Sequence, residues 1–418
     1  MSPTQKRPAG GLTGWGAAEL FFTAGVAVAI LFALLSGSIA KELDLTQAQL
    51  GQLSGIYTLA YSAGQLVLGA FLSSRTVKWI LGGGAALASA GCFLLSGGRE
   101  FSGMLAAQIL VGLGLSGTFV GLIFLIGRDF SKSFPMMSSL SQSITNITGA
   151  GLSLLASLTP WLADFRATFR VMAVVLLAVA AAQFVFVRGR AAGNAPHPGR
   201  EIAPISFFGA VGVAIRNFQF WMATVFYACL FGTMLAYANI WNIQFQIIYF
   251  GNDPSEAAMM NAMIAIGITA GSLVAGVWSR KAGFVLPARA FGLLGAAIFV
   301  FMSVLPLPRW DATALILVMG FALAGSILGL SVIQAHLAPA VTAVATSLAV
   351  TAAFVHGAIL QTVIGTSLGA ASTHTVAGAH ESLFLIYQHG MVWLVGSVLA
   401  AAIAAFFFKP PPPDPRPA

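Results

Sequence analysis

The stretch SGMLAAQILVGLGLSGTFVGLIFLIG, Ser102 to Gly127, holds no charged side chain, and Gln108 is its only long polar one. A helix rising 1.5 Å per residue needs ~20 such residues to cross a hydrocarbon core about 30 Å thick, so this run is long enough to span a bilayer. Working outward on the same criterion predicts twelve spans. Those of the first half are 17–40, 51–73, 79–97, 102–127, 136–160 and 168–188. Those of the second are 219–247, 255–278, 286–306, 312–335, 341–368 and 384–407. Hydrophobic residues make up 58% of the chain and charged ones 8%, against about 25% charged in a soluble domain. The expected class is an all-α membrane protein.

Its parts follow from composition. Residues 1–188 form a first six-helix bundle and 218–408 a second. Between them, 189–217 carries Arg190, Arg200 and Arg216 with Pro196, Pro198 and Pro204, which reads as a cytoplasmic linker. Residues 409–418 are a proline-rich tail. Lys6 and Arg7 precede the first span, but the apolar run is too long for a signal peptide and no cleavage is expected. Cys92 and Cys229 sit in apolar runs, where they are packing residues and not metal ligands.

Basic loops stay on the cytoplasmic side. With the N-terminus inside, the outer loops keep only Lys41, Arg99, Arg166, Arg170 and Arg309 of the 20 lysines and arginines. Eight of the 12 acids fall outside with them: Glu42, Asp44, Glu100, Asp164, Asp253, Glu256, Asp311 and Glu381. Both termini are therefore expected in the cytoplasm. The sequence pI of about 9.9 is explained by this bias and calls for no nucleic-acid partner.

The two halves repeat each other. Gly112, Gly117 and Gly121 recur 208 positions later as Gly320, Gly325 and Gly329, and Ser139 and Gly149 recur as Ser347 and Gly357. Gly69 recurs as Gly276 at an offset of 207. A six-helix repeat keeps its orientation, so the bundles are expected to be related by a pseudo-two-fold axis along the membrane normal, with alternating access about a central site. Gly267, Gly271 and Gly276 are expected to let helix backbones approach, since lipid supplies no hydrophobic drive for association.

These features resemble the major facilitator superfamily. The resemblance runs over all twelve spans and is carried by Leu45 to Gly51 leading into Tyr57, Tyr61 and Gln65. It is carried also by Gly69 to Ser74, by Gly276 to Gly283, and by Gln108 to Gly114. The family pattern has an aspartate and an arginine where this chain has Ser73 and Ser74, Lys78 keeps the last basic position, and Arg280 takes the acid's place in the second copy. The fourth-helix motif begins with Gln108 where the family has an arginine tied to proton coupling. The resemblance implies a secondary active transporter moving a small organic solute across the inner membrane. The alternatives are a drug or metabolite exporter, or a non-transporting sensor on the same scaffold. It implies a monomer in the lipid bilayer, with a proton or sodium ion as coupling partner. No P-loop for ATP occurs, and no resident cofactor, metal site or catalytic residue is expected.

An ionised group at a helix centre costs about 2.5–3.5 kcal/mol on insertion scales, so acids within spans point to function. Glu19 is the one acid within a predicted span, where it either snorkels to the cytoplasmic interface or serves as a coupling group. His356, in the middle of the eleventh span, is either a hydrogen-bonded core histidine or a proton relay and solute contact. His336 is interfacial, and His374, His380 and His389 form no metal spacing.

Polar side chains at helical spacing mark faces that either line a solute path or bond helix to helix. Tyr57, Tyr61 and Gln65 form one such face. Ser138, Ser141, Gln142, Thr145 and Asn146 form a second, and Asn239, Asn242 and Gln246 beside Trp241 a third. The candidate solute-binding set is Tyr57, Tyr61, Gln65, Gln108, Asn146, Tyr237, Asn239, Trp241, Asn242, Gln246, His356 and Gln361, which suits a neutral or zwitterionic solute. Reporter fusions to the C-terminus are expected to be active in the cytoplasm. A C-terminal reporter active only in the periplasm would overturn the orientation.

Overall fold

The computed structural model describes residues 9–73, 75–130, 134–158, 164–188, 207–305, 309–374 and 380–410. A peptide group in hydrocarbon must find its hydrogen bonds within its own segment, and the described residues accordingly fold as helices. Six long ones make up the first half: α1 (Ala9–Glu42), α2 (Gln47–Phe71), α3 (Val77–Gly97), α4 (Phe101–Asp129), α5 (Phe134–Leu158) and α6 (Phe165–Phe186). The second half holds α7 (Phe218–Tyr249), α8 (Pro254–Ala282), α9 (Val285–Val304), α10, α11 (Pro339–His374) and α12 (His380–Phe406). Helix α10 runs as Arg309–Leu323 and Ile327–His336 on either side of a 3-10 turn.

Ten of these helices are long and apolar enough to cross a membrane on their own. The other two, α2 and α5, are the helices whose polar faces dilute the apolar run. A nine-residue helix, Phe207–Ile215, precedes α7. Its Ala210 and Ala214 are buried while Phe208 is 83% exposed. Asn217 then caps α7, its Oδ1 accepting from the backbone N–H groups of Gln219 and Phe220.

By contact the chain forms two compact units. The first comprises Met1–Leu43, Ile56–Leu152 and Thr159–Pro198, and the second Asp44–Gly55, Ser153–Leu158 and Gly199–Ala418. The start of α2 and the end of α5 thus group with the second half of the chain.

The glycine repeat has a structural counterpart in each unit. A Cβ on Gly112 of α4 would meet the carbonyl of Tyr57 on α2 at 2.5 Å, and one on Gly320 of α10 would strike the carbonyl of Ile264 on α8. Gly117 lies against Ile80 of α3, and Gly325 against Phe291 of α9. Gly149 faces Ile30 of α1, and Gly357 faces Leu235 of α7. The last pair departs from the pattern, since Gly121 meets Leu81 of α3 but Gly329 meets Ala223 and Tyr227 of α7. Gly267 and Gly271 abut the backbone of α10 at Leu317 and Phe321, while Gly276 has nothing within 4 Å.

Backbone cannot yield as a side-chain tip can, so Gly112→Val and Gly320→Val are each expected to cost about 1–3 kcal/mol or more through overpacking. Gly83→Ala, at a site with nothing within 4 Å, is expected to leave stability unchanged or slightly raised. Thermal unfolding of the purified variants in detergent checks both.

Candidate functional site

In the first unit the polar centre is Glu19. It is the eleventh residue of α1 and only 5% exposed. Its Oε1 accepts from Thr145 Oγ1 of α5 at 3.2 Å and from Thr23 Oγ1, one turn along α1, at 3.4 Å. Ser141 of α5 lies near the carboxylate, and its Oγ accepts from Trp15 Nε1 at 2.9 Å. Ser141 and Thr145 therefore turn one face of α5 onto α1, as their spacing of four predicts. The side chains of Ser138 and Gln142 from the same run lie outside the described residues, and Asn146 is half-buried.

The α2 face is half-buried along Tyr57, Tyr61 and Gln65. The two tyrosine rings lie 6.4 Å apart, and Tyr61 Oη is 3.4 Å from Thr118 Oγ1 on α4. Gln108 is buried in α4.

In the second unit α7 departs from α-helical geometry twice, over Tyr237–Trp241 and Phe245–Tyr249. There the N–H of Asn242 reaches the carbonyl of Tyr237, and that of Phe250 the carbonyl of Phe245, each five residues back. Such π-type turns concentrate at functional sites. They carry the predicted amide face. Asn242 is fully buried, its Nδ2 donating to Asn261 Oδ1 on α8 at 3.0 Å, and Gln246 Oε1 accepts from Asn252 Nδ2 at 2.8 Å. Two of the three amides are thus engaged within the second unit, while Asn239 is half-buried. Trp241 is fully buried and donates from Nε1 to the carbonyl of Gln361 at 3.2 Å, and Gln361 Nε2 donates to the carbonyl of Leu235. Tyr237 packs edge-on to Phe299, and its buried hydroxyl has no partner among the described residues.

His356 belongs to a separate network. Ser397 of α12 has one O–H, which it donates to the carbonyl of Cys229, and it accepts from Thr233 at 2.9 Å. His356 Nε2 joins the same hydroxyl, 2.8 Å from Ser397 Oγ. Nε2 is committed to helix contacts.

Sequence reasoning did not single out Thr23, although it stands four residues from Glu19. It also placed Asp129 outside its span. That aspartate forms a bidentate pair with Arg128 at 2.7 and 2.9 Å, and Arg128 Nη1 donates to the carbonyl of Arg188. At the position of the family's loop aspartate, Ser73 instead closes a local turn with Thr76, Oγ to Oγ1 at 2.8 Å. Among the described residues no group of three histidine, cysteine, aspartate or glutamate side chains gathers for a metal.

Solved structures share this arrangement of helices. A bacterial homologue of the human lysosomal transporter Spinster is similar with a TM-score of 0.76 at 16% identity, covering 96% of each chain. The nucleoside transporter NupG is similar with a TM-score of 0.74 at 14% identity, over 96% of this chain and 100% of that one. A D-xylose-proton symporter is similar with a TM-score of 0.69 at 10% identity, over 96% and 98%. No curated protein matches the sequence. The model of the Major Facilitator Superfamily matches residues 20–361. With that match spanning most of a chain built of membrane-crossing helices, the protein belongs to the Major Facilitator Superfamily and is a multi-pass membrane transporter.

Proposed function

We propose that this protein is a secondary active carrier that takes up a small neutral or zwitterionic organic solute across the inner membrane by alternating access, with both termini in the cytoplasm. The observation that carries the reading is Glu19, the one acid in the interior of a long helix among the described residues, buried and held by hydroxyls from two helices. A buried ionisable group kept in place by built partners is expensive unless it works, and in a carrier its work is to couple a cation to the solute. The solute contacts we assign are the uncharged donors and acceptors of Tyr57, Tyr61, Gln65, Gln108 and Asn146 in the first unit. Tyr237, Asn239, Trp241, Asn242, Gln246, His356 and Gln361 are assigned in the second. A nucleoside and a pentose, named for two proteins of similar fold, are solutes of the same uncharged, hydrogen-bonding kind.

Purified protein in proteoliposomes, screened with labelled nucleosides, sugars and zwitterions under imposed cation gradients, is expected to accumulate one such class. Glu19→Gln is expected to lose gradient-driven accumulation while keeping solute exchange, since exchange needs alternating access but no net cation movement. Full accumulation by Glu19→Gln would remove Glu19 from coupling.

A further inference from the structure

We infer that Glu19, Thr23, Thr145 and Ser141 form a binding site for a sodium ion. The spacing of their oxygens carries the inference. Glu19 Oε1 lies 3.4 Å from Thr23 Oγ1 and 3.2 Å from Thr145 Oγ1, and the two threonine oxygens are 3.5 Å apart. Hydroxyl-to-oxygen hydrogen bonds cluster near about 2.7–2.8 Å, so all three edges are long for hydrogen bonds. An octahedral shell of oxygens at about 2.3–2.6 Å, the bond length of Ca²⁺ and of the similarly sized Na⁺, has neighbouring oxygens √2 times as far apart, about 3.3–3.7 Å. The triangle has the dimensions of one face of such a shell. Mg²⁺, bound at about 2.0–2.1 Å, would need edges of about 2.9 Å. K⁺, being larger, needs wider ones.

The donor set is carboxylate and hydroxyl, the hard oxygen ligands that suit such cations. Two more oxygens stand by. Ser141 Oγ lies near the carboxylate, one turn from Thr145 on α5, and Trp15 Nε1 donates to Ser141 Oγ at 2.9 Å, orienting it as outer-shell partners orient ligands. Glu19 Oε2 is buried with no partner among the described residues, on a side chain 95% shielded from solvent. Charge selects the monovalent ion. One carboxylate neutralises one Na⁺, whereas Ca²⁺ would leave a net positive charge at a residue only 5% exposed, and an uncompensated buried charge is costly.

This inference rests on Glu19 as the coupling group and names its ion, yet it can be tested without any solute. Thermal unfolding of the full chain in detergent is measured in equimolar sodium, potassium or choline chloride. Sodium is expected to raise the midpoint, and potassium and choline to leave it alone. Glu19→Gln and Thr145→Val are expected to abolish the sodium response. Thr145→Ser, which keeps the oxygen, is expected to retain it and guards against a misfolded Val variant. Trp15→Phe is expected to weaken sodium affinity about 10–100-fold, as loss of an outer-shell donor does. Equal stabilisation by sodium and potassium, or a sodium response that survives Glu19→Gln, would overturn the site. So would solute accumulation driven by a proton gradient in sodium-free vesicles. A sodium response confined to the intact site, with no accumulation of any solute, would instead uphold the site and defeat the proposed carrier function.

Discussion

Lipid offers no hydrogen bonds, and every feature of this chain is a response to that. Peptide groups are satisfied by folding each segment into a helix, which removes backbone polarity from the problem. Side chains must then find partners on neighbouring helices, and helices must approach without a hydrophobic effect to drive them. Glycines at backbone contacts such as Gly112 against Tyr57 and Gly320 against Ile264 provide that approach. The same close approach brings Thr145 to Glu19 and Asn242 to Asn261. Packing and polar chemistry are therefore one design, since a helix held further off would leave both carboxylate and amide bare.

How much of this was legible in the sequence depended on scale. Length and apolarity carry the spans, because the bilayer imposes a thickness that any run such as Ser102 to Gly127 must meet. Glycine offsets carry the repeat, because only glycine tolerates a carbonyl where a Cβ would stand. Local irregularities carried no such signature. The helix Phe207–Ile215 is too short to register as a span. The π-type turns of α7 leave an amphipathic pattern that reads as ordinary helix. Glu19 was visible as an isolated acid, but whether it snorkels depends on α5, which only the fold brings alongside. Asp129 was overlooked for a smaller reason: its helix runs one half-turn further than apolarity alone implies.

The two units distribute their polar groups differently. In the second, His356, Thr233 and Ser397 spend their donors on one another and on the carbonyl of Cys229, which stiffens contacts among α7, α11 and α12. In the first, hydroxyls converge on a carboxylate whose second oxygen has no partner among the described residues. A network whose hydrogen bonds are spent resists change, whereas an oxygen cluster with unspent capacity has reason to take up something else. The glycine repeat recurs in both halves, and the side chains separate their duties.

The irregular stretch of α7 has a mechanical consequence. In a regular α-helix residues four apart drift around the axis by about 40° per step, because 3.6 residues complete a turn. Tyr237, Trp241, Phe245 and Tyr249 are spaced by four and would wind away from one another. The wider turns counter that drift. The rings of Trp241 and Phe245 lie 6.0 Å apart with their planes at 30°, those of Phe245 and Tyr249 5.8 Å apart, and Tyr387 of α12 meets Phe245 edge-on at 5.0 Å. Tyr237 lies 6.2 Å from Phe245 as well, so the rings gather around Phe245 as a hub braced against α12. Removing that one ring would take from Tyr237, Trp241, Tyr249 and Tyr387 the neighbour they share.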